Sequence, residues 1–362
     1  IPDAWTADGR ILFSARRGDS TNVWTLAIAP DGRTRGTPAR LTSGTGIEMG
    51  ATIDRDGTLA FAAVSNDVDL WSLSIDPITG TPAGMMQRLT EDPASDLFPW
   101  LTDDGRSIAF ASNRSGTYDV WLRDLATGKD SLVAPAFTFP SLPKLTKDGT
   151  LVMFQSAIRG RWVSVPAPGA GVRSSAPHVV CDACQTFWDL SSDRKWAVLG
   201  SDGSTRIWIR DTASGATTEF LKAPGSIGRM RLSPDDRWLA FHYREAGSIR
   251  IYVVPFQPGA LVGRDRWISI TAADTMVFAP IWSTDGGTLY YLSDRDGNAC
   301  VWRQRIDRGT GQPAGDAIAV WHFHEARRSL ARIPMPTRGL AISRDRIVVS
   351  VSEGAANIWL AK

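Results

Sequence analysis

An all-β fold, an eight-bladed β-propeller of four-stranded antiparallel blades, is what three features of this 362-residue sequence predict. A Ser/Thr-x-Asp-Gly-type turn recurs eight times, at residues 6–9, 54–57, 102–105, 146–149, 191–194, 233–236, 283–286 and 343–346. The last residues of successive turns lie 48, 48, 44, 45, 42, 50 and 60 positions apart. Apolar runs flank every turn, and an aromatic residue follows about fifteen positions on. A period of roughly 40–50 residues made of short strands marks the blades of a propeller.

Strand A of each repeat ends just before the turn on an apolar residue: Trp5, Ile53, Leu101, Leu145, Leu190, Leu232, Trp282 and Ile342. Two positions earlier the residues are mostly apolar or Pro, and those between (Ala4, Thr52, Trp100, Lys144, Asp189, Arg231, Ile281, Ala341) are mixed. That alternation is a strand with one buried side. Strand B follows the turn, for example Ile108-Ala109-Phe110 and Leu239-Ala240-Phe241. Asp-Gly between two such runs signals a hairpin, because Gly takes positive φ freely. Arg194 and Arg346 replace that Gly, so their two turns are expected to differ in type.

Strand C ends on Trp24, Trp71, Trp121, Trp162, Trp208, Tyr252, Trp302 and Trp359. Seven of the 15 tryptophans share this slot, which reads as rings packed between neighbouring blades rather than scattered ligand contacts. Strand D is weaker, as in Gln87-Arg88-Leu89-Thr90 and Ile318-Ala319-Val320. Blades are expected to start near residues 1, 49, 97, 141, 186, 228, 278 and 338, giving a single propeller domain over 1–362. Repeat eight has no strand D and repeat one starts abruptly on strand A. The chain is therefore expected to be part of a larger polypeptide that closes the last blade.

A hydrophobic content of 43% supports a full core, and a net charge of +2 without a Lys/Arg run argues against nucleic acid as a partner. No apolar run reaches the roughly 18 residues of a membrane helix. Three cysteines make no disulfide framework. Cys181-x-x-Cys184 reads as a local disulfide or as two inert thiols, and a lone pair without nearby His makes poor structural zinc. Cys300 is expected to be buried.

The stretch Phe98-Pro99-Trp100-Leu101-Thr102-Asp103-Asp104-Gly105-Arg106-Ser107-Ile108-Ala109-Phe110-Ala111-Ser112-Asn113-Arg114-Ser115-Gly116, followed by Tyr118-Asp119-Val120-Trp121, resembles the TolB-type, WD-repeat-like propeller repeat. Residues 280–302 repeat it closely, and the resemblance covers essentially the whole chain. It implies a bacterial extracytoplasmic propeller, periplasmic or otherwise outside the cytoplasm, as in TolB, receptor-like kinases and winged-helix regulators. TolB's own propeller has six blades, so eight repeats depart from it, and its translocation role is not carried over.

No Gly-x-Ser-x-Gly elbow and no phosphate-binding glycine loop occur, so no catalytic residues are assigned. His322-x-His324 on a strand would put two imidazoles on one face, the one arrangement a metal could use, with Glu325 adjacent and His178 or His242 as possible third ligands. Propeller-type pectate lyases use His clusters on a metal, so a metal-assisted polysaccharide lyase or hydrolase is the enzymatic alternative. Asp294-x-Asp296-Gly297-Asn298 hints at calcium, but the twelve-residue loop would need Glu where Arg305 stands. No cofactor is expected; calcium or a transition metal is the minority alternative.

Ligands of propellers meet the loops entering strand A and the B–C turns around the channel. The ligand-binding candidates there are Glu48, Asp96, Phe98, Phe139, Phe187, Arg229, Phe278 and Arg338 from the entering loops, with Arg114 and Arg295 from the B–C turns. Phe interspersed with Arg suits a protein or peptide interface. The competing reading is that the Phe side chains plug the channel while the Arg side chains pair with the repeat's own Asp residues. The expected function is non-enzymatic: a sensor or binding module for a protein, peptide or cell-envelope ligand, with a purely structural scaffold as a further alternative.

Overall fold

A computed structural model describes the chain except for residues 1, 18–19, 93, 138–142, 147, 156–159, 169–176, 183, 185, 201–202, 273–275, 325–327, 331–332 and 335–336. The described residues are strands and turns, with one 3-10 turn at Arg264–Arg266 and no helix long and apolar enough to cross a membrane. They divide into two compact units, one of residues 1–67 with 352–362 and one of residues 68–351.

The first unit holds repeat one as a four-stranded antiparallel sheet, Pro2–Trp5, Arg10–Arg17, Ser20–Ile28 and Thr34–Arg40. Strands A and B of repeat two follow, Ile47–Ile53 paired with the start of Leu59–Ser74. Leu12, Val23, Ala51, Leu59 and Phe61 form its core.

In the second unit the turn motif explains its own sequence. The Thr102, Thr146, Ser191, Ser233 and Ser283 hydroxyls each donate to the Asp two residues on, at 2.6–2.7 Å. Each hydroxyl also accepts the backbone N–H five residues on, at 2.9–3.1 Å. A Ser/Thr thus closes the loop from both sides, which no apolar residue could do. Arg194 differs from expectation. It takes φ 60 and its N–H donates to Ser191 O at 2.9 Å, the bond that Gly105, Gly149 and Gly286 make in their own turns. Its guanidinium reaches the Asp148 carboxylate at 2.5 Å, a contact available to Arg and not to Gly.

Repeats three, four and seven are separate four-stranded antiparallel sheets, beginning at Asp96–Leu101, Lys144–Leu145 and Val277–Trp282. Repeats five and six share a seven-stranded sheet, because the 16-residue strand Thr217–Leu232 serves as strand D of one and strand A of the next. The remaining group is composite. Leu340–Ile342 pairs with the first part of Arg346–Ala361, the strands A and B of repeat eight. The second part of Leu59–Ser74 pairs with Gln87–Arg88, strands C and D of repeat two. Leu59–Ser74 and Arg346–Ala361 are neighbours in one sheet, and the Ile75 N–H donates to Asp345 O at 2.9 Å. Trp71, Leu73 and Ile75 are buried in one cluster with Leu340, Ile347 and Val349 of repeat eight and Tyr290 and Val301 of repeat seven.

This pairing gives an all-β fold without establishing a ring of eight blades. Six strands A, those of repeats three to eight, line one common cavity in the second unit. A regular period says where strands are but not which copy of strand B meets which copy of strand C. Leu59–Ser74 and Arg346–Ala361 run on as uninterrupted 16-residue strands, so neither repeat two nor repeat eight closes on itself. The expectation for the strand C aromatics holds at Trp71 and Trp162, 4% and 1% exposed, and fails at Trp359, 54% exposed.

Candidate functional site

The inner strands carry a shared irregularity. Register slips between Leu97 and Trp100, between Gly228 and Arg231, and between Phe278 and Ile281. At these bulges Phe98, Arg229 and Ala279 hold φ of 54, 53 and 56. Left-handed backbone costs a residue with a side chain about 1–2 kcal/mol, and strain of this kind collects where a site needs its geometry. The residues that close these bulges, Trp100, Arg231 and Ile281, line one cavity.

The result is a cavity of about 210 Å³ lined by Trp100, Lys144, Asp189, Arg231, Ile281 and Ala341, with Thr146, Asp148, Ser191, Ser192, Arg194, Pro234 and Thr284 toward the A–B turns. Lys144 is 2% exposed. Its ammonium lies 4.2 Å from the Trp100 ring centroid and donates to Trp188 O. The Arg231 guanidinium lies 4.4 Å from the same centroid and donates to the Trp188 and Met230 carbonyls, both at 3.0 Å. Among the described residues neither cation forms an ion pair within 4.0 Å. Burial pushes the Lys144 pKa well below the ordinary lysine value, aided by Arg231 and Arg229 and opposed by Asp189. Burial also lowers Arg231, to about 10.

The acceptors nearby are already used. Asp189 accepts the Leu190 and Leu232 N–H groups, each at 2.9 Å, and Asp148 holds Arg194. Two donors are not matched: Arg231 Nε and Trp188 Nε1 are buried without a hydrogen-bond partner. Three cations, Lys144, Arg194 and Arg231, and three carboxylates, Asp103, Asp148 and Asp189, line the space, and the two unpaired donors beside it supply hydrogen-bonding capacity suited to an anion or carboxylate. Sequence reasoning saw Trp100, Lys144 and Arg231 only as mixed residues at one repeat position. Their shared place in the alternation was the signal that could have found them.

The predicted mouth residues fall in several places. Phe98, Arg229 and Arg338 meet around a narrow throat of about 20 Å³, together with Trp100, Lys144 and Arg231. Arg229 lies 6.0 Å from the Phe98 ring, and Arg338 lies 5.7 Å from the Phe278 ring while donating to Ile333 O at 2.8 Å. Phe187 is fully buried against Trp162, with ring centroids 5.4 Å apart. Asp96 and Arg114 pair with each other at 3.3 Å, and Arg114 also holds Asp92 at 2.9 Å and Asp130. Arg295 stacks on Trp302 at 4.8 Å. Glu48 belongs to the first unit, where its carboxylate accepts from Asn22 Nδ2 at 2.8 Å and from the Gly44 N–H at 3.2 Å. Phe139 lies outside the described residues. Of the described phenylalanines only Phe98 lines the throat, since Phe187 packs against Trp162 and Phe278 sits in the cluster with Leu292 and Leu340. Arg114 pairs with Asp92, Asp96 and Asp130, and the roomier space lies toward the A–B turns.

His322 and His324 do come together. Nδ1 of His322 and Nε2 of His324 lie 2.6 and 3.1 Å from Asp296 Oδ2. Neither His178 nor His242 joins them, and Glu325 lies outside the described residues. His242 stays neutral, its pKa pushed to about 3 by burial and then by Arg229 and Arg244. Asp294 is used by the turn, accepting the Met276 N–H at 2.8 Å. Cys181 and Cys184 form a disulfide, and Cys300 is a buried free thiol.

No family model matches the sequence, and comparison with curated proteins finds no match. Solved structures do resemble it. A putative TolB from Agrobacterium tumefaciens superposes with a TM-score of 0.55 at 15% identity, over 82% of this chain and 99% of that one. TolB from Acinetobacter baumannii gives 0.49 at 14% identity, over 97% and 82%. An oligogalacturonate lyase from Vibrio parahaemolyticus gives 0.47 at 13% identity, over 80% and 98%. At such identities the likeness concerns architecture alone, and by that architecture the chain is a TolB-like β-propeller.

Proposed function

We propose that this chain is a binding propeller outside the cytoplasm that takes an anionic group of a peptide or protein into the cavity between Lys144, Arg231 and Trp100. The observation that carries the reading is the unmatched pair of donors, Arg231 Nε and Trp188 Nε1, beside the buried Lys144 ammonium and the half-buried Arg231 guanidinium, neither of which forms an ion pair among the described residues. A space of about 210 Å³ suits a chain terminus or one acidic side chain rather than an oligosaccharide. The hydroxyls of Thr146, Ser191, Ser192 and Thr284 along the wall add further polar contacts. A sensor role in a bacterial signalling protein and a periplasmic setting rest on the repeat's resemblance to such propellers.

The test is calorimetric titration with acidic peptides bearing a free or an amidated C-terminus. Binding that requires the carboxylate and weakens at least tenfold in Lys144→Met and Arg231→Met supports the reading. Equal binding by both variants places the ligand elsewhere. The metal-assisted lyase or hydrolase draws on His322 and His324, which contribute nothing to the cavity wall.

A further inference from the structure

Four potential ligand atoms from three separate segments of repeat seven converge: Asp296 in the B–C turn, Cys300 at the start of strand C, and His322 and His324 after strand D. All lie within 4.8 Å of one another. The two imidazoles are in contact, ring centroids 4.9 Å apart and planes inclined at 62°. The Cys300 thiol is fully buried beneath them and accepts the Phe323 N–H at 3.3 Å. Asp296 Oδ1 is buried without a hydrogen-bond partner, although Oδ2 contacts both histidines. Both histidines are about half exposed, so the group is open to solvent on one side.

We propose that Asp296, Cys300, His322 and His324 form a binding site for a divalent transition metal ion, zinc by preference. The donor set decides the metal. Two imidazole nitrogens and a thiolate are borderline-to-soft ligands that suit zinc and disfavour calcium, which takes oxygen. A thiolate and a carboxylate carry two negative charges, which balance a divalent ion in a partly buried setting. The orphaned Oδ1 and the His–Asp contacts are what a ligand set looks like when its members are already gathered. Four protein ligands complete a tetrahedral shell and leave no open position, so the ion is structural. It ties the B–C turn of repeat seven to the chain leaving its outer strand, a role separate from the anion cavity.

The chain's remaining two cysteines are bonded to each other, so Cys300 is the only thiol that can report on a metal. The experiment titrates the purified protein, stripped with chelator, with Co²⁺ and then with Zn²⁺. One Co²⁺ per chain is expected, with the visible absorption of tetrahedral cobalt and a thiolate charge-transfer band, both displaced by Zn²⁺. Cys300→Ser, nearly isosteric, removes the charge-transfer band, and the surface variant His322→Gln weakens binding at least about tenfold. Zinc raises the melting temperature of the wild type and not of His322→Gln. Absence of stoichiometric binding at tenfold excess overturns the proposal. So does a cobalt spectrum without the thiolate band, or one that Cys300→Ser leaves unchanged.

Discussion

The Lys144 ammonium stands 4.2 Å from the centroid of the Trp100 ring, buried, with the Trp188 carbonyl as its hydrogen-bond acceptor. An aromatic face and a carbonyl oxygen attract a cation without neutralising it. A lysine so placed keeps much of its desolvation cost in the folded protein and gives it up to a bound anion.

Lys144→Met is therefore expected to stabilise the free protein by about 1–3 kcal/mol while abolishing anion binding. The pH dependence identifies the cause. Burial holds the folded pKa well below the ordinary value, so between that lowered pKa and about 10.4 the unfolded chain binds the extra proton. This group's contribution to stability rises with pH across that interval and is complete above it. Urea unfolding at several pH values should show the advantage of Lys144→Met shrinking as the medium becomes alkaline. A pH-independent difference would mean the ammonium is not the source.

At the acid end the turn aspartates govern. The Thr102 and Ser191 hydroxyls hold Asp104 and Asp193 below the usual carboxylate range. Asp148, against the opposing effect of burial, is brought to about 2 by Thr146, Thr150 and Arg194. Lowered folded pKa values supply stability that is full above about pH 4 and lost as pH falls toward 2. Thr146→Val removes the donor to Asp148 and leaves the Leu151 N–H without its acceptor, at a cost of about 1–2 kcal/mol near neutrality. Its acid-unfolding midpoint should move to higher pH.

The turns, the strands and the apolar ends of strand A were legible because each obeys a local rule: Gly or a short polar residue at a turn, alternation along a strand. Phe98, Arg229 and Ala279 were not legible as left-handed residues, since nothing local favours that backbone and the packing of the inner strands imposes it. The number of closed blades was not legible for a related reason. Trp71 and Trp359 occupy the same repeat slot, and only long-range pairing decides which one is covered. The cluster of Asp296, Cys300, His322 and His324 was half visible. His322 and His324 declared themselves by spacing, but Asp296 read as a turn residue and Cys300 as core until the sheet brought them together.

Backbone strain at the inner rim can be measured at Ala279, whose methyl is small enough to remove with little loss of packing. It holds φ 56 ahead of Pro280. Ala279→Gly relieves about 1–2 kcal/mol of left-handed strain and adds about 0.4–1 kcal/mol of unfolded-chain entropy. A net stabilisation of about 0.5 kcal/mol is expected in denaturant titration. A loss of stability would show that the bulge carries no strain.

The composite sheet makes the sharpest contrast between two identical side chains in equivalent repeat positions. Trp71 is 4% exposed and packs with residues of repeats seven and eight, whereas Trp359 is 54% exposed. Deleting a buried indole costs about 3–5 kcal/mol through lost burial and the cavity left behind. A change at an exposed position usually stays within about 0.5 kcal/mol. Trp71→Ala should therefore lower the unfolding midpoint steeply and Trp359→Ala hardly at all, with similar m-values for both proteins. Equal losses would require Trp359 to be covered as Trp71 is, and repeats two and eight would then each have to close on themselves. The difference between the two variants is thus a direct reading of which copy of strand C completes the sheet begun by Leu340–Ile342.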